Sequence, residues 1–313
     1  MGFLFDTMIL LFMLKYFLIP FLFILLTTRA VHGQADFPEE LSQPQTDSLM
    51  KYEMMLKEIG DSMLGGQSED VRANAVMKYI PLLVKTLKFR GSFDYPFDSL
   101  KFMKKLKPED QSFRIYNWNL QFDDQTFRYY GAIQLDYKNR LMLFPLFDRS
   151  DNIPDSLAED TILTHENWYG AQYYALIEEK HKRQKFYTLL GWDGSTHISN
   201  KKIIDVLTFN EQGLPVFGAP MFEWGEDTVK TRVIFEFSNQ AVMALDYLPR
   251  HNIITYDHLS PPDEKSKGKK FTYVPDGSYD YFIYKRGKWI RKELLFETYK
   301  KKIEMEDFQY NTR

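Results

Sequence analysis

The sequence predicts an α+β fold, in which a pair of N-terminal helices precedes a large, mainly antiparallel β domain of sandwich or barrel-like form. Apolar residues recur at helical spacing over residues 47–88. After Gly91, aromatic and β-branched residues dominate, and short polar turns separate the apolar runs. Such short connections favour antiparallel pairing, because a parallel crossover needs about a dozen residues or more.

The composition is that of a folded globular protein. Of the 313 residues, 44% are hydrophobic, 27% are charged and 16% are aromatic, and the net charge is −3. A nucleic-acid-binding domain usually has a basic excess, so we expect no nucleic-acid partner. The chain has no cysteine, which excludes thiolate metal sites, a cysteine nucleophile and a lipidated N-terminal cysteine. The sequence predicts no cofactor.

Residues 1–33 have the pattern of a signal segment. The run over residues 8–28 is apolar apart from Lys15. If Met13 is the functional start, a basic region, an apolar core and a polar end follow in the order of a secretory signal peptide, with cleavage after Gly33. We therefore expect an exported protein, periplasmic or secreted, with no stable membrane span after cleavage. An uncleaved inner-membrane signal anchor and a buried core helix are the alternatives.

The rest of the chain divides into four parts by composition. Residues 34–46 contain two prolines and no periodic pattern, which predicts a flexible start. The helical pair covers residues 47–90, the antiparallel β domain covers residues 91–298, and residues 299–313 form a mixed-charge C-terminal tail.

Two helices are expected in the helical pair. The first covers about residues 47–64 and ends at Gly65. The second begins at Ser68, whose hydroxyl suits an N-cap and is followed by two acids that favour the positive end of the helix dipole. Pro81 lies inside this second pattern and predicts a kink or a break.

Strands are expected wherever an aromatic or β-branched run lies between turn residues. These runs are 113–121, 126–137, 140–147, 169–177, 185–192, 203–209, 215–222, 231–237, 241–248, 252–259, 279–285 and 288–295. Hairpin turns are expected at 123–125, at 138–139, at the charged segment 180–184 and at 286–287.

Four segments of the β domain carry distinctive aromatic, glycine and proline patterns. They are Trp168 to Tyr174, Tyr187 to Gly194, Asn200 to Leu207 and Tyr256 to Pro262. In these segments, and in their order over most of residues 110–295, the chain resembles a family of uncharacterised exported bacterial envelope proteins. The resemblance implies export and an envelope setting, and it brings no activity with it.

Candidate catalytic residues lie in two segments. Asp193 and His197 share a glycine-rich loop between strands, and Asp257 and His258 precede a double proline that ends a strand. If the segments converge, the four side chains would form a cluster for metal-assisted or glycoside-type hydrolysis, with His197 and His258 as metal ligands. The simpler alternative is a turn in which Asp193 bonds its own backbone, and a strand end at which His258 packs or caps.

Aromatic side chains are the candidates for ligand binding. Tyr173, Trp192 and Trp224 lie in or beside the expected strands, where alternation turns half of the side chains outward. Rings that face outward can stack on sugars or peptides. The same residue types also suit a pleated, half-buried surface without any ligand.

The leading functional hypothesis is an exported, non-catalytic envelope protein that binds a glycan, a peptide or a protein partner through a β-sheet face. No nucleophile elbow, phosphate-binding loop or dinucleotide fingerprint occurs in the sequence. One alternative is a hydrolase that uses Asp193, His197, Asp257 and His258. Another is a structural or assembly factor that docks a partner through the helices at 47–88.

Overall fold

The computed structural model describes residues 39–40, 46–137 and 140–295, which all belong to one compact unit. The expected signal segment, the turn at 138–139 and the C-terminal tail lie outside the described residues. Within the expected flexible start, residues 39–40 form a short strand. None of the helices in the described ranges is long and apolar enough to cross a membrane.

Three α-helices are present in the described residues: α1 (Thr46–Gly65), α2 (Glu69–Leu87) and α3 (Asp155–Asp160). The N-cap is confirmed, since the Ser68 hydroxyl accepts a hydrogen bond from the Val71 N–H at 3.4 Å. Of the kink or break expected at Pro81, the break is wrong, because α2 runs on without interruption. Pro81 is exposed, whereas Tyr79 and Leu83 beside it are buried, so packing holds the helix together.

The β domain is built from short strands joined mostly by tight turns. They are β1 (Glu39–Glu40), β2 (Lys104–Leu106), β3 (Phe113–Gln121), β4 (Phe127–Leu135), β5 (Arg140–Phe147), β6 (Leu163–Thr164), β7 (Gln172–His181), β8 (Gln184–Asp193), β9 (Ser199–Phe209), β10 (Pro215–Phe217), β11 (Phe222–Glu223), β12 (Val229–Lys230), β13 (Val233–Ser238), β14 (Leu245–Leu248), β15 (Ile253–Ser260), β16 (Val274–Lys285) and β17 (Lys288–Leu295).

The strands form three sheets. The first sheet has the order β1-β5-β4-β3-β2, and the third has the order β12-β11-β17-β16-β15-β14. The second sheet has the order β6-β10-β9-β8-β7, and β13 pairs with the remaining length of β9. Between these strands every pairing is antiparallel except β11 with β17. The predicted α+β class, with two helices before a mainly antiparallel domain, is confirmed.

The sheets and the helical pair pack as successive layers. One apolar cluster joins α1 and α2 to the first sheet and contains Tyr79 and Trp118. A second lies between the first and second sheets and contains Leu189, and a third lies between the second and third sheets and contains Leu190. Since neighbouring residues of a strand point to opposite faces, the second sheet is buried on both sides.

One expected strand is divided by its turn residues. The run at 215–222 becomes β10 and the start of β11, with Gly218 and Pro220 between them. Gly218 has φ +91°, which residues with a side chain rarely adopt. The chain therefore leaves the second sheet at Gly218 and enters the third sheet at Phe222.

Candidate binding groove between two hairpin tips

Asp193 lies at the end of β8 and is buried. Its carboxylate accepts a hydrogen bond from the Ser195 N–H at 2.8 Å, the geometry of an Asx turn. Burial raises the pKa of Asp193 to about 6, against the opposing effects of the Ser195 N–H and the nearby Lys201 ammonium. Asp193 thus stabilises the turn that follows β8. The exposed His197 lies further along the same loop.

Asp257 and His258 lie on β15, in the third sheet. Asp257 accepts a hydrogen bond from the Ala244 N–H at 2.7 Å. The Nδ1 atom of His258 lies 3.1 Å from the carboxylate of Asp280, which also accepts a hydrogen bond from Arg291 at 2.8 Å. Among the residues that the structure describes, no three histidine or acidic side chains form a group that could hold a metal ion.

The three aromatic candidates all have protein partners. Tyr173 is fully buried, and its hydroxyl donates to the carboxylate of Asp205 at 2.9 Å. Trp192 meets the ring of Phe127 edge-on, with 5.2 Å between the ring centroids. The Trp224 ring has two cations near it: Lys230 Nζ lies 4.3 Å from its centroid, and Arg291 Cζ lies 4.5 Å from it.

A groove of about 380 Å³ lies elsewhere, between the second and third sheets. Its apolar lining comes from the two sheets and from the segment that connects them, and most of its remaining lining comes from two hairpins, with Thr208 and Gly218 in addition. The apolar members are Ile162, Phe186, Val216, Ala219, Pro220 and Met221, and the hairpin members are His181, Gln184, Arg286, Gly287 and Lys288.

The first hairpin is formed by β7 and β8. His181 pairs with Gln184, so only Lys182 and Arg183 form the turn. Lys182 adopts φ +57°, a left-handed conformation typical of tight hairpin turns. The expected hairpin at 180–184 is therefore confirmed, and its turn residues are basic.

The second hairpin is formed by β16 and β17. Lys285 pairs with Lys288, which leaves Arg286 and Gly287 as the turn, with φ +52° and +83°. Positive φ at both positions is characteristic of a type I′ turn. A Cβ atom on Gly287 would lie 2.5 Å from Cγ of His181. Glycine thus lets the two hairpin tips touch.

The floor of the groove is the connection between the second and third sheets. The Gly218 N–H donates to the Val206 carbonyl of β9 at 2.7 Å. The Met221 carbonyl accepts a hydrogen bond from the Trp289 N–H at 2.8 Å, and the Pro220 carbonyl accepts one from the Lys288 ammonium. Backbone hydrogen bonds to both sheets therefore fix the floor.

The lining of the groove contains two cationic side chains, Arg286 and Lys288, and the two hairpins carry further positive charge outside it. Six cationic residues of the two turns and their flanks have no acidic partner in the described part of the chain. We call these residues the basic tips; they are Lys180, Lys182, Arg183, Lys285, Arg286 and Lys288. A seventh cation, Lys185, forms ion pairs with both Asp110 and Glu178. The groove thus combines an apolar wall with a rim of positive charge.

The sequence alone did not indicate this groove. Both turns were expected, but they are far apart in the chain, and nothing in their patterns shows that they meet. The available signal was the excess of basic residues in both turns. Comparison of this chain with models of protein families, with curated proteins and with solved structures finds no match.

Proposed function

We propose that this protein is an exported, non-catalytic binding protein of the cell envelope, and that its groove takes a small anionic ligand with an apolar body. The observation that supports this function is the combination of an apolar wall and a basic mouth in one groove. The expected signal segment at residues 1–33 supports the export.

The size and lining of the groove suit a small amphiphile. Binding pockets for small molecules have volumes of about 300–1,000 Å³ and mostly apolar linings with a few placed polar groups. Phe186, Val216 and Met221 provide the apolar wall, and Ile162 stands exposed at its edge. Each methylene of a ligand that is buried there contributes about 0.8 kcal/mol.

The polar part of the lining fixes the sign of the ligand. Arg286 and Lys288 carry positive charge, and His181 and Gln184 add hydrogen-bonding groups. Among the described residues, no acidic side chain belongs to the lining. A carboxylate, sulfate or phosphate at the mouth would therefore meet only favourable charges.

The same lining favours binding over catalysis. His181 provides an imidazole, and the described lining contains no carboxylate to orient it. Besides this imidazole, the nucleophile types in the described lining are the Thr208 hydroxyl and the Lys288 amine, which donates a hydrogen bond to the Pro220 carbonyl. A nucleophile normally requires a base within hydrogen-bond reach and a third group that orients this base.

The test titrates the full chain with dodecyl phosphate and measures binding by isothermal calorimetry. Dodecanol is the uncharged comparison. We expect saturable binding of dodecyl phosphate and at least about tenfold weaker binding of dodecanol, since a charge-assisted contact contributes about 1.5–3 kcal/mol. Equal affinity for the two compounds would show that the cationic side chains do not contribute to binding. Absence of binding by both compounds would contradict the proposal.

A pair of matched variants tests whether the ligand binds in the groove. Ile162→Glu puts a negative charge at the edge of the groove, and Val242→Glu makes the same change at a valine that is 89% exposed elsewhere. We expect Ile162→Glu to weaken binding of dodecyl phosphate about tenfold or more and Val242→Glu to leave it unchanged. Equal effects of the two variants would show that the ligand binds outside the groove.

Export is tested separately. In a host that secretes the protein, mass spectrometry of the mature chain should find its N-terminus at Gln34, directly after the expected cleavage site. A chain that begins at residue 1 or at Met13 would instead support the signal anchor.

A further inference from the structure

The basic tips bring positive charge from two distant parts of the chain to one place. Gly287 of the second tip touches the imidazole of His181 in the first, so the two turns form one continuous surface. Lys180, Lys182 and Arg183 are exposed on one side of this contact. Lys285 and Arg286 are exposed on the other side.

The charge of this surface is not balanced locally. The described acids beside the first tip are Glu178 and Glu179 and, from a distant segment, Glu109 and Asp110. Glu178 and Asp110 both pair with Lys185, and Glu179 is half-buried with a pKa that burial raises. The chain as a whole carries a net charge of −3, so the remainder of the molecule is more negative than this average. The basic tips are therefore a local patch of positive charge on a chain whose net charge is negative.

The positive charge of the basic tips determines which face of the protein would bind an anionic surface. An anionic surface attracts a local cluster of cations, so the basic tips would approach it. The groove opens between the tips, and Ile162 at its edge is 55% exposed. The approaching face thus presents both cations and an apolar opening.

An anionic bilayer offers the matching combination, namely negative headgroups above an apolar phase. A nucleic acid offers phosphates without that apolar phase, and a compact pair of turns gives no extended track for its backbone. We infer that the basic tips dock the protein on the surface of an anionic lipid bilayer. This surface acts in addition to the groove and needs no ligand in it.

The expected strength follows from the number of cations. Each lysine or arginine near an anionic membrane contributes roughly fivefold to the affinity, so the six residues together contribute roughly 10⁴-fold. The attraction falls off within the Debye length, which is about 10 Å at 0.1 M salt and about 3 Å at 1 M salt. Docking should therefore be strong at low salt and lost at high salt.

The experiment measures co-sedimentation of the full chain with vesicles of phosphatidylcholine alone and of phosphatidylcholine with phosphatidylglycerol. The tip variant combines Lys182→Asn, Arg183→Gln, Lys285→Gln and Arg286→Asn. Asparagine is used at the two positive-φ positions because it tolerates that conformation. The control combines Lys265→Gln, Lys267→Gln, Lys269→Gln and Lys270→Gln, which removes the same charge from an exposed loop.

We expect the wild type and the control to bind the phosphatidylglycerol vesicles at about 0.1 M salt and to be released at about 1 M salt. The tip variant should bind about 100-fold or more weakly, and vesicles of phosphatidylcholine alone should bind none of the three proteins. Circular dichroism of the tip variant should match that of the wild type, since the substituted side chains are exposed.

Three results would overturn the inference. The tip variant could bind as well as the wild type, the control could lose as much binding as the tip variant, or the wild type could ignore the vesicles. If the wild type bound double-stranded DNA but not vesicles, the inference would also be overturned, and the basic tips would be a nucleic-acid-binding surface. The groove is tested in the absence of vesicles, so the two proposals fail separately.

Discussion

The guanidinium Nε of Arg232 lies 2.9 Å from the carboxylate of Asp205, and both side chains are fully buried. The contact is an ion pair rather than a directed hydrogen bond, since Arg232 Nε has no hydrogen-bond partner among the described residues. Arg232 Nη1 donates to the Ala158 carbonyl at 2.6 Å, and Tyr173 donates to Asp205 at 2.9 Å. This pair therefore ties α3 and β7 to the centre of the second sheet.

Removing one partner of this pair should be severely destabilising. Arg232→Met leaves the Asp205 carboxylate buried without its cation, which typically costs about 3–5 kcal/mol of unfolding free energy. Urea unfolding followed by circular dichroism measures the loss. The control is Asp61→Asn in the exposed Lys57–Asp61 pair, where we expect a change below about 0.5 kcal/mol. Similar losses in the two variants would contradict this prediction.

Asp193 should make the protein less stable as the pH rises. Its folded-state pKa is raised from 3.8 to about 6, so the folded chain retains a proton that the unfolded chain releases above pH 3.8. Its contribution is fully present below about pH 4 and is lost as the pH passes about 6, with a total of about 3 kcal/mol. An amide in place of this carboxyl group would have no such titration.

The variant Asp193→Asn isolates this effect. The amide oxygen can still accept the hydrogen bond from the Ser195 N–H, and no charge forms in the buried site. We expect the variant to exceed the wild type in unfolding free energy at pH 7 and to lose most of that advantage near pH 4. A difference between the two proteins that does not change with pH would contradict the prediction.

Gly287→Ala should separate the two hairpin tips. Alanine there pays the usual cost of a positive φ, about 1–2 kcal/mol, and its Cβ also collides with the His181 imidazole. Gly277→Ala is the matched control, because Gly277 has φ +89° and open space around its would-be Cβ. We expect Gly287→Ala to lose about 1–3 kcal/mol more in urea unfolding than the control. Equal losses would mean that the tips do not touch.

Buried tyrosines should make the protein sensitive to alkali. Burial raises the pKa of Tyr129 and of Tyr173 well above the usual value of 10, and nearby Asp193 and Asp205 raise the two further. The folded chain thus keeps protons that the unfolded chain loses, so stability falls as the pH rises above about 10. Tyrosinate absorbance should show a group that ionises only when circular dichroism reports unfolding. A single smooth titration before unfolding would contradict this.

Much of the fold could be predicted because local patterns carry it. The boundaries of β3, β5 and β17 agree with the expected runs, and clear turn residues precede each of these strands. The two-residue strands β6 and β12 were not expected, because so short a run has no period of its own. The division of 215–222 depends on Gly218, whose conformation is set by the contacts between the sheets.

The candidate site could not be predicted in the same way. A turn such as Arg286–Gly287 is visible in the sequence, but its contact with His181 depends on how the second and third sheets stack. Polarity and aromaticity drew attention to Asp193 and Tyr173, yet both are buried. Buried polar side chains with satisfied hydrogen bonds look the same in a sequence as exposed functional ones.

The parallel pairing of β11 with β17 sets the order in which parts of the chain can fold. Phe222 pairs with Trp289, so the third sheet cannot close until its final strand has emerged from the ribosome. Until then, β11 has an unpaired edge beside exposed apolar residues, which is a site at which chains can aggregate. Truncation at the C-terminal end of the β domain would leave every emerging chain in that vulnerable state.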